Sequence, residues 1–172
     1  MLAIAGHEMA FDVKRKIETA TLDSTPVWRI ISAQQSPMFA VMDTFDIDRE
    51  TLLPLHRSMS QGQATITMEY GEDAITGEMK GPRETSIDVD LTAPVFGDDA
   101  GLEIAINAMP LAPGYRTTLR IFDMQMRKVR PMSLTVTGEE TVTVPAGSFD
   151  VFKLELKALD GEMGGGTIFI NA

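Results

Sequence analysis

The sequence predicts a mainly β protein: an antiparallel, strongly curved sheet of about ten strands forming a half-barrel or closed barrel, with one short helix near residues 99–109. Three observations lead there. Apolar and polar residues alternate with period two along most of the chain, as in Phe152, Leu154, Leu156 and Ala158 against Val151, Lys153, Glu155 and Lys157, so one sheet face is dry and the other wet. Turn residues recur between these runs, most clearly Pro145-Ala146-Gly147-Ser148. Only the stretch from Thr92 to Gly114 breaks the alternation.

Met9 to Thr21 and Pro26 to Ser36 read as a first hairpin around Leu22-Asp23-Ser24-Thr25. Met38 to Ile47 follows, then the turn Asp48-Arg49-Glu50-Thr51 and a strand from Leu52 to Gln61, where Pro54 implies an edge or a bulge. Ala64, Ile66, Met68 and Tyr70 alternate with Thr65, Thr67 and Glu69 up to Gly71-Glu72-Asp73. Ala74 to Lys80 runs to the breaker Gly81-Pro82-Arg83, and Thr85, Ile87, Val89 and Leu91 oppose Ser86, Asp88 and Asp90. Asp98 or Asp99 caps a helix through Leu102, Ile104, Ala105, Ile106, Ala108 and Met109, ended by Pro110 and Pro113-Gly114. Tyr115 to Asp123, Met124 to Thr137 and Thr141 to Ala158 complete the strands, and a Gly-rich link, Gly161 to Gly166, leads into an apolar strand, Thr167 to Ala172. With neither an internal repeat nor a low-complexity linker, residues 1–172 read as one domain.

The 172 residues suffice to bury roughly two-thirds of the unfolded surface, so a core needs no disulfide or metal. A formal charge of −10 opposes phosphate backbones, and nucleic acid is not expected as a partner. The basic cluster Arg127-Lys128-Val129-Arg130 reads as a solvated strand or turn. No cysteine is present, which removes thiol chemistry. Met1 to Gly6 is too short for a secretory apolar region, and no run is long enough to cross a membrane as a helix. The chain is then either cytoplasmic or a fragment whose export signal, and a final strand beyond Ala172, lie outside it.

The segments Phe45-Asp46-Ile47-Asp48-Arg49-Glu50-Thr51-Leu52-Leu53-Pro54 and Val142-Thr143-Val144-Pro145-Ala146-Gly147-Ser148-Phe149-Asp150-Val151 carry a resemblance. Over residues 38–170 or so, the chain resembles exported bacterial proteins of the DUF3108 family. The resemblance implies a periplasmic, barrel-like domain, loosely similar to the half-barrels that carry lipoproteins. It implies no catalytic residue.

No residue pattern marks an enzyme. His7 and His56 lack further His or Cys at metal-ligand spacing and read as surface or turn residues. Gly147-Ser148 is turn chemistry, not a nucleophile elbow. Asp43, Asp46, Asp48 and Glu50 lack the glycine of a calcium loop and read as a solvated Asx turn. Asp88 and Asp90 share a strand face that looks exposed, where paired carboxylates have no pKa separation to exploit. Gly164-Gly165-Gly166 lacks the Lys and Ser/Thr of a phosphate loop. No cofactor and no metal is expected.

Methionine is in excess, with 12 residues, and unbranched side chains of this kind re-pack around irregular apolar ligands. The expected wall of an apolar-ligand site is Met38, Met42, Met68, Ile87, Leu119, Phe152 and Leu154, with core packing as the plain alternative. Trp28 is expected to plug one end of the barrel. Three functions follow: a non-enzymatic envelope protein binding a lipid or other apolar molecule, a protein–protein module using the edge strand Thr167 to Ile170, and a hydrolase using Asp88 and Asp90.

Overall fold

Short turns with positive φ set the register of the sheets. In the computed structural model, which describes residues 2–4, 7–9, 12–35 and 39–172, Asp23 and Ser24 have φ of 45° and 73° and join β3 (Asp12–Leu22) to β4 (Thr25–Gln35). Positive φ at both central residues matches the strand twist, as in a type I′ hairpin. β1 (Leu2–Ile4) and β2 (His7–Met9) form a separate two-stranded sheet.

The chain divides into two compact units, Met1–Pro94 and Val95–Ala172, at a boundary inside the stretch where the alternation fails. In the first, β3 and β4 continue through β5 (Ala40–Asp48), β6 (Pro54–Gln61), β7 (Ala64–Tyr70), β8 (Ala74–Lys80) and β9 (Thr85–Asp90). These seven strands form an antiparallel meander in sequence order. The β5–β6 connection is the expected Asx turn: the Asp48 carboxylate accepts hydrogen bonds from the Thr51 amide (2.7 Å), the Glu50 amide (2.9 Å) and the Thr51 hydroxyl (2.9 Å). The Thr51 amide leads in holding that carboxyl below its ordinary range. A bulge between Asp46 and Ile47 lets Pro54 open β6 opposite Ile47, so the strand begins two residues later than the sequence suggests.

One row crosses this sheet from β4 to β9: Ile30, Phe45, Arg57, Met68, Gly77 and Ile87 pair in succession. Ile30, Phe45, Met68 and Ile87 are buried. Gly77 belongs in the row because a Cβ there would stand 2.1 Å from the Thr67 carbonyl oxygen.

The second unit begins with α1 (Asp99–Asn107), two residues shorter than expected. Asp98 is its N-cap residue but makes no capping bond; its carboxylate instead accepts the Met124 amide at 3.3 Å. β10 (Arg116–Asp123), β11 (Lys128–Val144), β12 (Gly147–Ala158) and β13 (Gly165–Asn171) form a four-stranded antiparallel sheet in that order. Where the sequence suggested a break at Gly138-Glu139-Glu140, β11 runs unbroken for 17 residues. The irregularity is a bulge rather than a turn: Val136 faces Leu154, Gly138 faces Lys153, and Thr137 is the extra residue, its hydroxyl donating to the Lys153 carbonyl (3.1 Å). Leu102 and Ile106 of α1 pack with Leu119, Met132, Leu134 and Leu154 as the core of this unit.

The expectation of one barrel of about ten strands is therefore corrected. The strands fall into open sheets of seven, four and two, and none is closed or strongly curled. The apolar terminal run, which looked unpartnered, is β13, hydrogen-bonded to β12 on one side.

Candidate functional site

Position 130 lies two residues before Met132 on β11, so alternation sends the Arg130 side chain to the face that carries Met132 and Leu134. A guanidinium there needs counter-charge. It donates a fork to Asp160, Nε to Oδ2 at 2.8 Å and Nη2 to Oδ1 at 3.0 Å, and reaches Asp123 Oδ2 at 3.3 Å and the Met163 carbonyl at 3.1 Å. Beside it Lys128 pairs with Glu162 (2.7 Å) and Asp160 (3.5 Å). The Arg130–Asp160 fork, with Asp123 adding to it, raises the guanidinium pKa and holds the Asp160 carboxyl well below the usual carboxylate range.

This network shapes the Gly-rich link. A Cβ on Gly164, whose φ is +150°, would stand 2.6 Å from Arg130 Nη1. On Gly165, φ +117°, it would stand 2.0 Å from the Leu156 carbonyl oxygen. The glycines let the chain wrap Arg130 and drop straight into pairing with β12. The basic cluster read as solvated is thus half wrong, because Arg130 is buried and Lys128 is ion-paired.

Below this loop, between the first turn of α1 and the sheet, lies a cavity of about 420 Å³. Leu102, Ile121, Met132, Leu156 and Ile168 supply its apolar surface, and Asp98, Asp99, Asp123, Gln125 and Arg130 its polar part, with Gly164 to Gly166 along one side. Its size falls within the roughly 300–1,000 Å³ of small-molecule sites. Another cavity, of about 590 Å³, is lined by Ser24, Thr25, Pro26, Trp28, Asp48, Arg49 and Glu50. There Trp28 lies under the Arg49 guanidinium, 4.7 Å from the ring centroid, instead of plugging a barrel.

The residues singled out from sequence separate into different places. Met68 and Ile87 share the packed row of the first unit and are 0% and 4% exposed. Leu119 and Leu154, at 4% and 0%, belong to the core of the second, and Phe152 packs against it partly buried. Such side chains have almost no surface to offer a ligand. Met42 is 48% exposed on the opposite face of β5, paired with Ala33 and Ser60. Met38 lies outside the described residues, as does the His7 side chain. Asp88 and Asp90 are exposed on β9.

Sequence reasoning missed the buried ion pairs. Asp43 and Asp46 are not solvated: Asp43 accepts from Arg57 (3.1 and 2.7 Å) and Asp46 from Arg29 (2.7 and 2.8 Å). His56, expected at the surface or in a turn, stands in the strand β6, half-buried, 3.8 Å from Asp46 and 3.7 Å from Glu69. The available signal was parity, since Asp43 alternates with Phe45 and Ile47 on the dry face of β5 and so demands a cation on a neighbouring strand. Among the described residues no cluster of His, Asp and Glu is placed to hold a metal ion, and no helix is long and apolar enough to cross a membrane.

A family model described as a protein of unknown function, DUF3108, matches residues 7–170. The chain belongs to the DUF3108 family. The match takes in every element from β2 through most of β13, so the two larger sheets of this DUF3108 member and the cavity under its Gly-rich loop are family territory. No curated protein and no solved structure matches the chain.

One consequence of the Arg130 latch is an acid signature. Asp160 has a depressed folded pKa, so its contribution to stability is complete above the ordinary carboxylate value of 3.8 and is lost as pH falls toward the depressed value. Asp160→Asn is therefore expected to lower the melting temperature at neutral pH and to flatten its decline below about pH 4, measured by thermal melts across pH.

Proposed function

We propose that this chain is a non-enzymatic binding domain that takes an apolar molecule into the cavity between α1 and the four-stranded sheet. The observation that carries the reading is a cavity of about 420 Å³ whose apolar surface comes from the half-buried Leu156 and Ile168, with Leu102, Ile121 and Met132, nearly buried, also lining it. Burying an alkyl chain against such a surface is worth about 0.8 kcal/mol per methylene. The rim narrows the ligand class. Asp98, Asp99 and Asp123 outnumber Arg130, whose charge Asp160 already balances. A carboxylate or phosphate head is repelled there, and a neutral or cationic head is accepted. The reading includes the bacterial envelope as compartment, which rests on the family resemblance and is checked by cell fractionation.

Gly166 supplies the test. A Cβ there meets nothing within 4 Å, and the residue lines the cavity, so Gly166→Leu fills the space without a backbone collision. Titration calorimetry with dodecylamine, below its micellar range, is expected to show binding that Gly166→Leu weakens roughly tenfold or more, with dodecanoate binding more weakly than the amine. Mass spectrometry of an organic extract of detergent-free protein is expected to recover a co-purifying apolar molecule. Equal binding of the amine by both proteins would sink the assignment.

A second reading, a protein-docking edge at β13, is favoured by one observation: the strand carries no charged residue along an exposed edge. The carboxylates Asp88 and Asp90, exposed on β9, lack the burial that acid/base catalysis requires of such a pair.

A further inference from the structure

The cavity of about 590 Å³ in the first unit is walled by two turns and an indole. Ser24 comes from the β3–β4 turn, Thr25 and Trp28 from β4, and Asp48, Arg49 and Glu50 from the end of β5 and the turn after it. The two turns are tied together, because the Arg49 amide donates to the Pro26 carbonyl (3.2 Å). The β5–β6 turn is closed in its turn by the Asp48 amide on the Leu53 carbonyl (2.9 Å) and the Leu52 amide on the Asp48 carbonyl (3.0 Å). Ser24 and Leu52 hold φ at 73° and 59°. Residues bearing Cβ keep that conformation only where their surroundings impose it, and such positions gather at ligand clamps.

Two polar groups stand open in this wall. The three hydrogen bonds to the Asp48 carboxylate all converge on Oδ1, and among the described residues Oδ2 accepts none. The Arg49 guanidinium rests on the Trp28 ring and, among the described residues, has no acidic partner. An acceptor and a donor fork are thus held in place before a ligand arrives, beside the hydroxyls of Ser24 and Thr25.

We infer that this cavity binds a neutral saccharide: Arg49 donates to its hydroxyls, Asp48 Oδ2 accepts from one of them, and a C–H face of the sugar packs on the indole. Other ligand classes fit less well. Asp48 and Glu50 outnumber Arg49, so an anion meets net negative charge on a chain whose total is −10. A cation finds Arg49 already on the indole, in the place a cation would take. An alkyl chain meets polar side chains at every lining position except Pro26 and Trp28. Sugar hydroxyls both donate and accept, so they use carboxylate, guanidinium and the two hydroxyls together. Trp28 is half-buried and keeps part of its apolar body for the C–H face. The site shares no residue with the α1 cavity, and the inference stands apart from the amine reading.

Trp28 is the chain's single tryptophan, so its indole N–H gives one resonance in an NMR spectrum of the labelled protein. Titration with maltose, cellobiose and diacetylchitobiose is expected to shift that resonance saturably with at least one of the three, while choline and inorganic phosphate leave it in place. Arg49→Met keeps an apolar stem over the indole and is expected to weaken the sugar roughly tenfold or more, with the urea midpoint unchanged. Thr25→Val removes one hydroxyl, is expected to weaken the sugar as well, and carries the test should Arg49→Met fold poorly. Gly166→Leu, in the other cavity, is expected to leave sugar binding as it is, so a failure of amine binding and a failure of sugar binding are read separately. An indole resonance that none of the three sugars moves overturns the proposal. So does a larger response to choline or phosphate than to any sugar, or undiminished sugar binding by the folded variants of Arg49 and Thr25.

Discussion

Replacing Arg57 by Met is expected to destabilise the first unit by about 3–5 kcal/mol, while the double replacement of Arg57 by Met and Asp43 by Leu returns stability to within about 1 kcal/mol of the wild type or above it. Arg57 is 3% exposed and Asp43 7%, on adjacent strands of the packed face. The guanidinium donates to both carboxylate oxygens, at 3.1 and 2.7 Å, and lies 5.1 Å over the Phe45 ring. Losing the cation alone leaves a carboxylate buried without its fork, and the desolvation penalty of that group dominates the result. Losing both removes the penalty along with the attraction. Trp28 is the chain's single tryptophan and belongs to the same sheet, so urea unfolding followed by its fluorescence reports this unit. A cost below about 1 kcal/mol for Arg57→Met would mean that water reaches Asp43 and screens it.

The same residues show what was legible in the sequence. Period-two alternation located almost every strand to within a few residues, because in an antiparallel sheet each side chain's face follows from its parity. The turns were equally plain, since Asp23-Ser24 and Pro145-Ala146 can do little else between alternating runs. Sheet partition was not legible. A strand count does not reveal which hydrogen-bond ladder ends at β9, and alternation reads alike in an open sheet and in a barrel. The Thr92–Gly114 stretch marked the division between units but looked like the place of one inserted helix. Polar residues were misread wherever the reading treated charge as a sign of solvent. Asp43, Arg57 and Arg130 each sit on the apolar parity of their strands, and each is resolved by a partner distant in sequence that no local pattern announces. The Met-rich wall carries the opposite ambiguity: side chains apolar enough to line a pocket are equally apt to fill a core, and Met68 and Leu154 do the latter.

Two neighbouring glycines provide the other large effect. Gly165→Ala is expected to cost about 2–4 kcal/mol in the second unit, and Gly166→Ala less than about 0.5 kcal/mol. Gly165 holds φ at +117°, a conformation that costs a residue bearing Cβ on the order of 1–3 kcal/mol, and that Cβ would stand 2.0 Å from the Leu156 carbonyl oxygen. The collision is with backbone, so no rotamer relieves it, and β13 must lift from β12 at its first pair, Lys157 with Gly165. At Gly166 the Cβ enters open space and φ needs no relief. Amide exchange separates the local event from global loss. The Ile168 and Ile170 amides, which face β12, should exchange faster in Gly165→Ala and unchanged in Gly166→Ala, while amides of β10 follow only the global stability. Because β13 walls the cavity, Gly165→Ala should weaken amine binding by displacing the strand, whereas Gly166→Leu weakens it by filling the space with the strand in place. A Gly165→Ala protein that keeps amine binding would show that the strand is held by its apolar face, through Ile168 and Ile170, rather than by its entry into the ladder.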